Sequence, residues 1–261
     1  MREPEIEICV DSVESALQAQ AGGATRVELC AGLSEGGLTP SAGLIEITSK
    51  SIHIPVHVLI RPRRGDFLYS AHEFDVMKRD IKTAKALGVA GIVLGVLKPD
   101  GQVDVVRTAE LIAIAAPLSI TFHRAFDMTP DPFKALEDVI GLKADRLLTS
   151  GQQPSALAGA SLLAKLVQRA ANRLIVMPGG GISAENIQEL LISTGATAYH
   201  ASARSRTSSQ MHFRNHGLAM AATQQLSEYE NMIADAALIA RLCKACKDQS
   251  YRLGEEANNA L

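Results

Sequence analysis

The sequence predicts an α/β protein that folds as a single-domain TIM (β/α)8 barrel, and three observations lead to this prediction. Short β-branched runs alternate with longer segments of helical periodicity along most of the chain. Eight such units in 261 residues match the usual size of this barrel, and the right-handed crossover rule leaves few other folds. No linker rich in Pro, Gly or Ser divides the chain, so we expect one domain over residues 1–261. A doubly wound open sheet is the alternative fold.

In chain order, strands are predicted at residues 5–10, 26–30, 56–61, 91–96, 118–124, 146–150, 173–178 and 197–202. Helical spacing, often with Ser, Asp or Pro at its start, lies between them at residues 11–25, 73–87, 104–115, 132–140, 156–171 and 184–194. A last helix at residues 227–247 is predicted to complete the barrel wall. Residues 250–261 are expected to be frayed.

The composition indicates a globular protein with one large core. Of its residues 47% are hydrophobic, and 26 basic side chains stand against 28 acidic ones, so no bulk charge attracts nucleic acid. No apolar run reaches the roughly 20 residues of a membrane span, and the N-terminus lacks the pattern of a signal peptide. We therefore expect a cytoplasmic location, with the nucleus as the alternative compartment. The four cysteines are too few for a disulfide scaffold and are interpreted as reduced thiols.

Period-two alternation predicts that polar side chains from several strands point into the barrel. The first two strands each carry a Glu-x-Cys pair, Glu7 with Cys9 and Glu28 with Cys30, opposite an apolar face. Further polar residues are found at later strand ends: His57, Arg61, Thr121, His123, Ser150, His200 and Ser202. A barrel interior is normally filled by Val, Ile and Leu, so these residues form a candidate site at the C-terminal ends of the strands.

Carboxylates and one histidine are the candidates for acid–base catalysis: Glu7, Glu28, His123 and Asp127. His123 and Asp127 belong to the segment in which the fifth strand turns into a loop, a place where function concentrates. A structural alternative stays open for Glu28, which could pair with Arg26 or Arg61 in the interior. Each cysteine could likewise be a small buried hydrophobe.

A third group of residues is a candidate for binding an anionic substrate. It combines backbone N–H groups after the seventh strand with a hydroxyl and guanidinium groups: Gly179, Gly180, Gly181, Ser202, Arg204, Arg61 and Arg63. A helix with Ser183 as its N-cap is expected directly after the glycines. The alternative is that the glycines form only a tight turn and that the arginines solvate a loop. Cys243 and Cys246 have C-x-x-C spacing without a second pair, so no metal site is predicted there.

Several motifs in residues 5–230 resemble, in the same order, those of the CutC family of copper homeostasis proteins. They are Glu-Ile-Cys-Val at 7–10, Arg-Val-Glu-Leu-Cys at 26–30, Glu-Gly-Gly-Leu-Thr-Pro-Ser at 35–41, Ile-Arg-Pro-Arg at 60–63, Gly-Asp-Phe-Leu-Tyr-Ser at 65–70, the segment 121–127, Leu-Thr-Ser-Gly at 148–151 and Phe-Arg-Asn at 213–215. Arg64 departs from the family pattern, which usually has Gly there. The resemblance implies a TIM barrel, a cytoplasmic setting, a homo-oligomer and a Cu(I) role of two cysteines that map onto Cys9 and Cys30.

The sequence therefore supports two functional hypotheses of different classes. The first is a Cu(I)-binding copper homeostasis protein that uses Cys9 and Cys30, since thiolates are soft ligands that select Cu(I). The second is an isomerase or lyase that acts by acid–base chemistry on a small anionic molecule, phosphorylated compounds included. A divalent metal held by the carboxylates is left open. The expected partner is a copper ion or a small anionic molecule, and neither nucleic acid nor a membrane is expected.

Overall fold

The structure is a computed structural model that describes residues 3–215, 217–218 and 227–259, with side chains described up to residue 248. Eight parallel strands form one sheet: β1 (Glu5–Val10), β2 (Arg26–Leu29), β3 (Val56–Leu59), β4 (Gly91–Leu94), β5 (Ser119–Phe122), β6 (Arg146–Thr149), β7 (Ile175–Pro178) and β8 (Ala198–Ala201). Strands that are neighbours in sequence pair from β1 to β7, and β1 also pairs with β8. A bridge between Gly179 and His200 joins the remaining edges, so the sheet closes. The predicted (β/α)8 barrel is confirmed, and the open-sheet alternative is wrong.

Helices cover the outside of the barrel, and capping side chains define where several of them begin. They are α1 (Val13–Ala21), α2 (Ala42–Ser51), α3 (Ala71–Ala86), α4 (Val105–Ala115), α5 (Pro132–Gly141), α6 (Ala160–Ala170), α7 (Ile187–Thr194) and α8 (Ala236–Asn259), with short 3-10 helices at Leu33–Glu35 and Arg124–Met128. Ser12, Ser41 and Asp104 each accept a hydrogen bond from a backbone N–H in the first turn of the helix that follows. In the described ranges, no helix is both long and apolar enough to cross a membrane.

The hydrophobic core lies between the strands and the helices rather than on the barrel axis. In β1, Ile6, Ile8 and Val10 are buried on the helix-facing side and pack in the same apolar cluster as Ala16 and Ala19 of α1. Burial of this apolar layer supplies most of the driving force for folding. The alternate strand positions therefore remain free to carry polar side chains into the interior.

The strands lie where the sequence predicts them, up to two residues shorter at either end, but three helices, α6, α7 and α8, begin later than predicted. Helix α7 begins at Ile187 rather than at residue 184, because the side chain of Asn186 folds back onto the preceding turn. Its amide donates to the Gly181 carbonyl at 2.8 Å and accepts from the Ser183 N–H at 2.9 Å. Ser183 is therefore not the N-cap of α7. Helix α6 begins at Ala160 rather than at residue 156.

The region after β8 contains a hairpin that the sequence pattern did not predict. Strand β9 (Arg204–Ser208) pairs antiparallel with β10 (Glu230–Ala234). Asp235 then accepts hydrogen bonds from two N–H groups in the first turn of α8. The last helix consequently begins at Ala236 instead of residue 227, and it continues to Asn259. Residues 260–261, part of the segment expected to fray, lie outside the described residues, and the single-domain organisation stays a prediction.

Two glycines, one in β4 and one directly after it, provide the space for two histidine rings inside the barrel. A Cβ atom on Gly91 would lie 2.1 Å from Nδ1 of His57, and one on Gly95 would lie 2.6 Å from two ring atoms of His123. Both distances are far shorter than a van der Waals contact. Glycine is therefore required at these two positions as long as the imidazole rings keep their places.

We predict that Gly91→Ala lowers the free energy of unfolding by about 1–3 kcal/mol, because the added methyl group overpacks the interior against His57. Gly43→Ala is the matched control, since Gly43 is exposed in α2 and an added Cβ would have no atom within 4 Å. That change should raise stability by roughly 0.5–1 kcal/mol, the helical advantage of Ala over Gly. Urea unfolding measures both variants, and equal stabilities would contradict the assigned role of Gly91.

Candidate functional site

A cavity of about 430 Å³ opens at the C-terminal ends of the strands, where this fold places its active groups. Its polar lining comes from strand ends and the loops after them: Cys9, Glu28, Arg61, His123, Arg124, Asp127, His200 and Ser202. Leu59 and Phe67 are among the apolar side chains of its wall. Six of the eleven predicted interior residues thus converge on one cavity. The other five are buried but do not line it: Glu7, Cys30, His57, Thr121 and Ser150.

Glu7 belongs to a buried charge network outside the lining of the cavity. It is 1% exposed, forms a salt bridge with Arg26 and accepts a hydrogen bond from Nδ1 of His200 at 2.7 Å. Burial acts to raise the pKa of Glu7, but the charges of Arg26 and His200 outweigh it and hold this pKa well below its usual range. Glu7 is therefore an ionised carboxylate with both oxygens bonded. These contacts favour a structural role for Glu7 over the predicted acid–base role.

Glu28 lines the cavity and keeps one polar atom without a hydrogen bond. Its Oε2 has no hydrogen-bond partner in the described part of the chain, and the nearest cationic nitrogen, Nδ1 of His200, lies 3.5 Å away. Burial raises the pKa of Glu28 to about 7 against the opposing charge of His200, and the carboxylate of Glu7 adds to the rise. A buried carboxyl group that titrates near neutral pH and faces a cavity can transfer protons.

His200 completes this network from β8. Its burial disfavours the charged ring, but Cys9 and the two carboxylates of Glu28 and Glu7 raise the pKa of His200 well above its usual value. The ring is therefore an imidazolium whose charge offsets that of Glu7. His57 lies at the level of Glu28 in the β2–β3 register, and burial together with Arg26 lowers its pKa to about 4, so this ring is neutral.

The thiols of Cys9 and Cys30 form a pair beside the cavity, with their Sγ atoms 3.6 Å apart. Cys9 lines the cavity, whereas Cys30 is fully buried and packs against Leu59 and Val93. The hydrogen bond with Cys30, burial and the charge of Glu28 raise the pKa of the Cys9 thiol well above its usual value. Cys9 is therefore protonated at neutral pH, and neither cysteine forms a disulfide.

His123 presents an unused hydrogen-bond donor in the cavity wall. Its Nδ1 accepts from the Ala125 N–H at 3.2 Å, so the ring proton is assigned to Nε2. Nε2 has no protein partner in the described ranges, although His123 is only 4% exposed. Burial and the nearby charge of Arg61 lower the pKa of His123 to about 3, which keeps the ring neutral. A neutral imidazole N–H of this kind can polarise a carbonyl oxygen.

Arg61 is a buried cation held by carbonyl oxygens. Its guanidinium donates to the carbonyls of Glu35, Gly37 and Gly65 at 2.9–3.0 Å and is 8% exposed. No carboxylate among the described residues forms a salt bridge with Arg61, and its Nε has no partner there. The predicted structural pairing with Glu28 is therefore not formed. A buried positive charge without a counter-charge favours binding of an anion.

Asp127 is fully occupied by donors from the neighbouring loops. At 2.5–3.2 Å it accepts hydrogen bonds from side chains or N–H groups of Arg124, Thr149, Ser150 and Gln152. These bonds tie the loop after β5 to the loop after β6. Because no acceptor capacity is left for a substrate proton, the contacts favour a structural role for Asp127 over the predicted catalytic one.

The predicted anion-binding residues divide into two groups. Arg61, Gly180, Gly181 and Ser202 line the cavity, whereas Gly179, Arg63 and Arg204 do not. The Gly179 N–H donates to the Thr149 carbonyl, and Arg63 forms salt bridges with Asp66 and Glu73. Arg204 lies on β9, outside the cavity, where its charge acts on Asp11.

Arg124 supplies the guanidinium that the sequence pattern assigned to Arg204. Its Nη1 lies 3.8 Å from the position that a Cβ on Gly180 would occupy. Its Nε and Nη2 donate to Asp127 and Ser150 at 2.7 and 2.8 Å, so the side chain is held in place. The available sequence signal was its position between His123 and Asp127, two residues already singled out as candidates.

Glu7, Glu28 and His200 also form the group best arranged to hold a metal ion in the described residues. Each offers one ligand atom, and these atoms lie within 4.8 Å of one another. Carboxylate and imidazole ligands suit divalent ions rather than Cu(I). Arg26 and His200 already bond both oxygens of Glu7, so they would compete with such an ion. The alternative of a divalent metal held by these carboxylates stays open.

The fold and the cavity define a TIM-barrel protein with a thiol, carboxylate and imidazole site at its C-terminal face. The chain belongs to the CutC family, whose family model matches residues 4–205. The human copper homeostasis protein cutC homolog is 50% identical over 93% of this chain and 89% of its own length. A CutC family protein from Chromobacterium violaceum is 48% identical over 92% of this chain and 97% of its own. The resemblance inferred from the motifs is confirmed.

Solved structures agree on the fold. The copper homeostasis protein CutC from Streptococcus agalactiae matches with a TM-score of 0.73 and 33% identity, over 76% of this chain and 97% of that one. Phosphoribosylanthranilate isomerase from Thermotoga maritima matches with a TM-score of 0.57 and 15% identity, over 94% and 99%. At that identity the second likeness shows the fold alone.

We predict that Glu7→Gln lowers the free energy of unfolding by about 3–5 kcal/mol at neutral pH. The change leaves the guanidinium of Arg26 buried and without its counter-charge, which is the costly way to break an internal ion pair. Urea unfolding measures the loss. A cost below about 1 kcal/mol, typical of an exposed pair, would contradict the role of Glu7 as the counter-ion.

Glu28→Gln should instead change the pH dependence of stability. Since the pKa of Glu28 is raised from 4.5 to about 7 in the folded state, its contribution is present below pH 4.5 and lost as the pH rises through 7. Between about pH 5 and pH 8 the free energy of unfolding of the wild type should therefore fall by an amount on the order of 2 kcal/mol. The variant should not show this fall. Urea unfolding across this range tests the expectation, and identical profiles would show that Glu28 does not titrate there.

Proposed function

We propose that this member of the CutC family binds Cu(I) through Cys9 and Cys30, in the cytoplasm and as a homo-oligomer. The single observation that carries the Cu(I) part is the 3.6 Å separation of the two Sγ atoms. Two metal–thiolate bonds of roughly 2.3 Å each span at most about 4.6 Å, so both sulfurs can reach one ion. Thiolates are also the ligands that select Cu(I) among the ions of a cell.

The surroundings of the pair support a site that exchanges its ion. Cys9 lines the cavity and can meet an incoming ion, whereas Cys30 is fully buried behind it. His200 lies next to Cys9, and its positive charge stabilises the thiolate that remains when the ion displaces the thiol proton. Because both thiols must lose their protons, Cu(I) affinity should rise with pH.

We predict that Cys9→Ser and Cys30→Ser each abolish tight Cu(I) binding. Loss of a direct ligand should weaken binding by more than the roughly 10–100-fold that loss of an outer-shell partner costs. Competition with a Cu(I) chelator under anaerobic, reducing conditions measures the affinity.

Cys243→Ser is the matched control, because this buried thiol of α8 lies 3.5 Å from the Gly23 carbonyl and far from the cavity in the fold. It should bind Cu(I) as the wild type does. Wild-type affinity in the Cys30→Ser variant would remove the thiol pair from the site.

A second function is favoured by a different observation, the unpartnered atoms of Glu28 and His123 in the cavity wall. His123 follows β5 two residues beyond Thr121, which bonds Arg26 across the barrel, and Glu28 lies two residues beyond Arg26 in β2. Both side chains line the same cavity. This arrangement suits an isomerase or lyase in which Glu28 removes a proton next to a carbonyl whose oxygen accepts from His123.

We predict that metal-free protein catalyses exchange of carbon-bound hydrogen for deuterium in a small phosphorylated ketone, and that Glu28→Gln does not. Proton NMR in D2O follows the exchange with dihydroxyacetone phosphate and ribulose 5-phosphate. Cys9→Ser is the control, because it removes the thiol pair and leaves the proposed base. Lack of exchange by the wild type with both compounds would count against this second function.

A further inference from the structure

We infer that the cavity contains a subsite for the phosphate group of a small molecule, formed by Arg124, Gly180, Gly181 and Ser202, with Arg61 and His123 receiving a carboxylate or carbonyl at its other end. This inference is independent of Cu(I) binding. It rests on atoms that the thiol pair does not use, and it names the substrate class for the second function proposed above.

Arg124 has one guanidinium nitrogen, Nη1, available to donate to a ligand. Two of its three nitrogens are committed, since Nε donates to Asp127 at 2.7 Å and Nη2 to Ser150 at 2.8 Å. In the described part of the chain, Nη1 has no partner and lies next to Gly180. Asp127 is in turn bonded by the loop after β6, so the guanidinium is oriented before any ligand arrives. Such preorganised, charge-assisted donors bind phosphate oxygens strongly.

The glycines add a backbone donor on the same side of the cavity. The Gly180 carbonyl accepts from the Ala156 N–H at 2.9 Å, which holds the loop, and the N–H group of Gly181 has no acceptor among the described residues. The φ angles of Gly180 and Gly181, +109° and +71°, are of the kind that favours glycine. A free N–H group in such a glycine turn can donate to an anion. The bridge between Gly179 and His200 brings Ser202, at the end of β8, to the same edge.

The opposite end of the subsite is formed by buried groups that lack partners. His123 is 4% exposed with an unbonded Nε2, and Arg61 is 8% exposed with an unbonded Nε. Phe67 packs against both, with its ring 4.9 Å from the His123 ring and 5.2 Å from the Arg61 guanidinium carbon. Leaving such donors buried and unbonded is costly, so a ligand oxygen at this place would recover the lost hydrogen bonds.

The charges around the cavity and its volume favour a short ligand with two acidic or oxygen-rich ends. Asp127 offsets the charge of Arg124, but no carboxylate offsets that of Arg61 in the described ranges. His123 and Arg124 are adjacent in sequence and both line the cavity, so a single ligand in it can contact both side chains. A cavity of about 430 Å³ lies at the lower end of the range for small-molecule sites.

The test compares inorganic phosphate with 2-phosphoglycolate, which carries a phosphate and a carboxylate separated by two atoms. Isothermal titration of the metal-free full-length chain should show binding of both at constant ionic strength. Phosphoglycolate should bind at least about tenfold more tightly, because only it reaches Arg61 and His123. Equal affinities would overturn the two-ended subsite, and lack of binding by both would overturn the subsite altogether.

Two pairs of matched variants locate the phosphate. Gly181→Asp places a carboxylate in the subsite, whereas Gly181→Asn has the same shape without the charge. Both variants should fold, because an added Cβ at this position meets no atom nearer than 3.6 Å and because Asp and Asn tolerate a positive φ. Arg124→Gln removes the guanidinium inside the cavity, and Arg204→Gln removes one outside it. Gly181→Asp and Arg124→Gln should each weaken binding of phosphoglycolate at least about tenfold, and the two controls should change it less than about threefold.

Thermal unfolding without ligand checks that each variant is folded, and the Gly181 pair decides the outcome if Arg124→Gln is unstable. Equal binding by Gly181→Asp and Gly181→Asn would overturn the position of the subsite. Anion binding without deuterium exchange would reject the second function and leave the subsite standing. Failure of anion binding would leave the Cu(I) site untouched.

Discussion

The buried charge of Arg26 is the constraint on which the barrel interior depends. A guanidinium that is 3% exposed needs a counter-charge and acceptors inside the protein. Glu7 on the neighbouring strand β1 supplies the charge, and Thr121 of β5 accepts a hydrogen bond at 3.1 Å from across the barrel. One side chain thus joins opposite walls of the barrel. Together with Glu7 and Thr121 it forms a polar layer inside the barrel, where this fold normally has Val, Ile and Leu.

This polar layer influences the protonation states of the residues between it and the cavity. Burial raises the pKa of Glu28 toward neutrality, and the charges of His200 and Arg26, whose hydrogen bonds go to Glu7, oppose this rise only in part. Gly91 in β4 and Gly95 directly after it leave room for two imidazole rings, and burial keeps both rings neutral. The result is a cavity in which several donors and acceptors are held in place without protein partners. Preorganised polar groups of this kind are what a binding or catalytic site requires.

The cavity holds two chemically distinct regions. The thiols lie on β1 and at the end of β2 and suit a soft ion, whereas the free guanidinium and N–H groups follow β5 and β7 and suit an oxyanion. Copper binding alone gives no reason for the second region. The proposed Cu(I) role would account for the thiol pair, whereas the donors around His123 and Arg124 are the basis of the proposed small-molecule subsite.

The sequence by itself determined the barrel and the inward direction of the polar strand residues, because both follow from local periodicity. It also identified Cys9 and Cys30 as a pair, since they occupy matching positions on successive strands. Only the tertiary structure decided that Asp127 is saturated by loop donors, that Arg124 rather than Arg204 reaches the glycines, and that a hairpin precedes the last helix. Those outcomes depend on side chains and loops meeting across the barrel mouth, and contacts between residues distant in sequence leave no periodic signal in the chain.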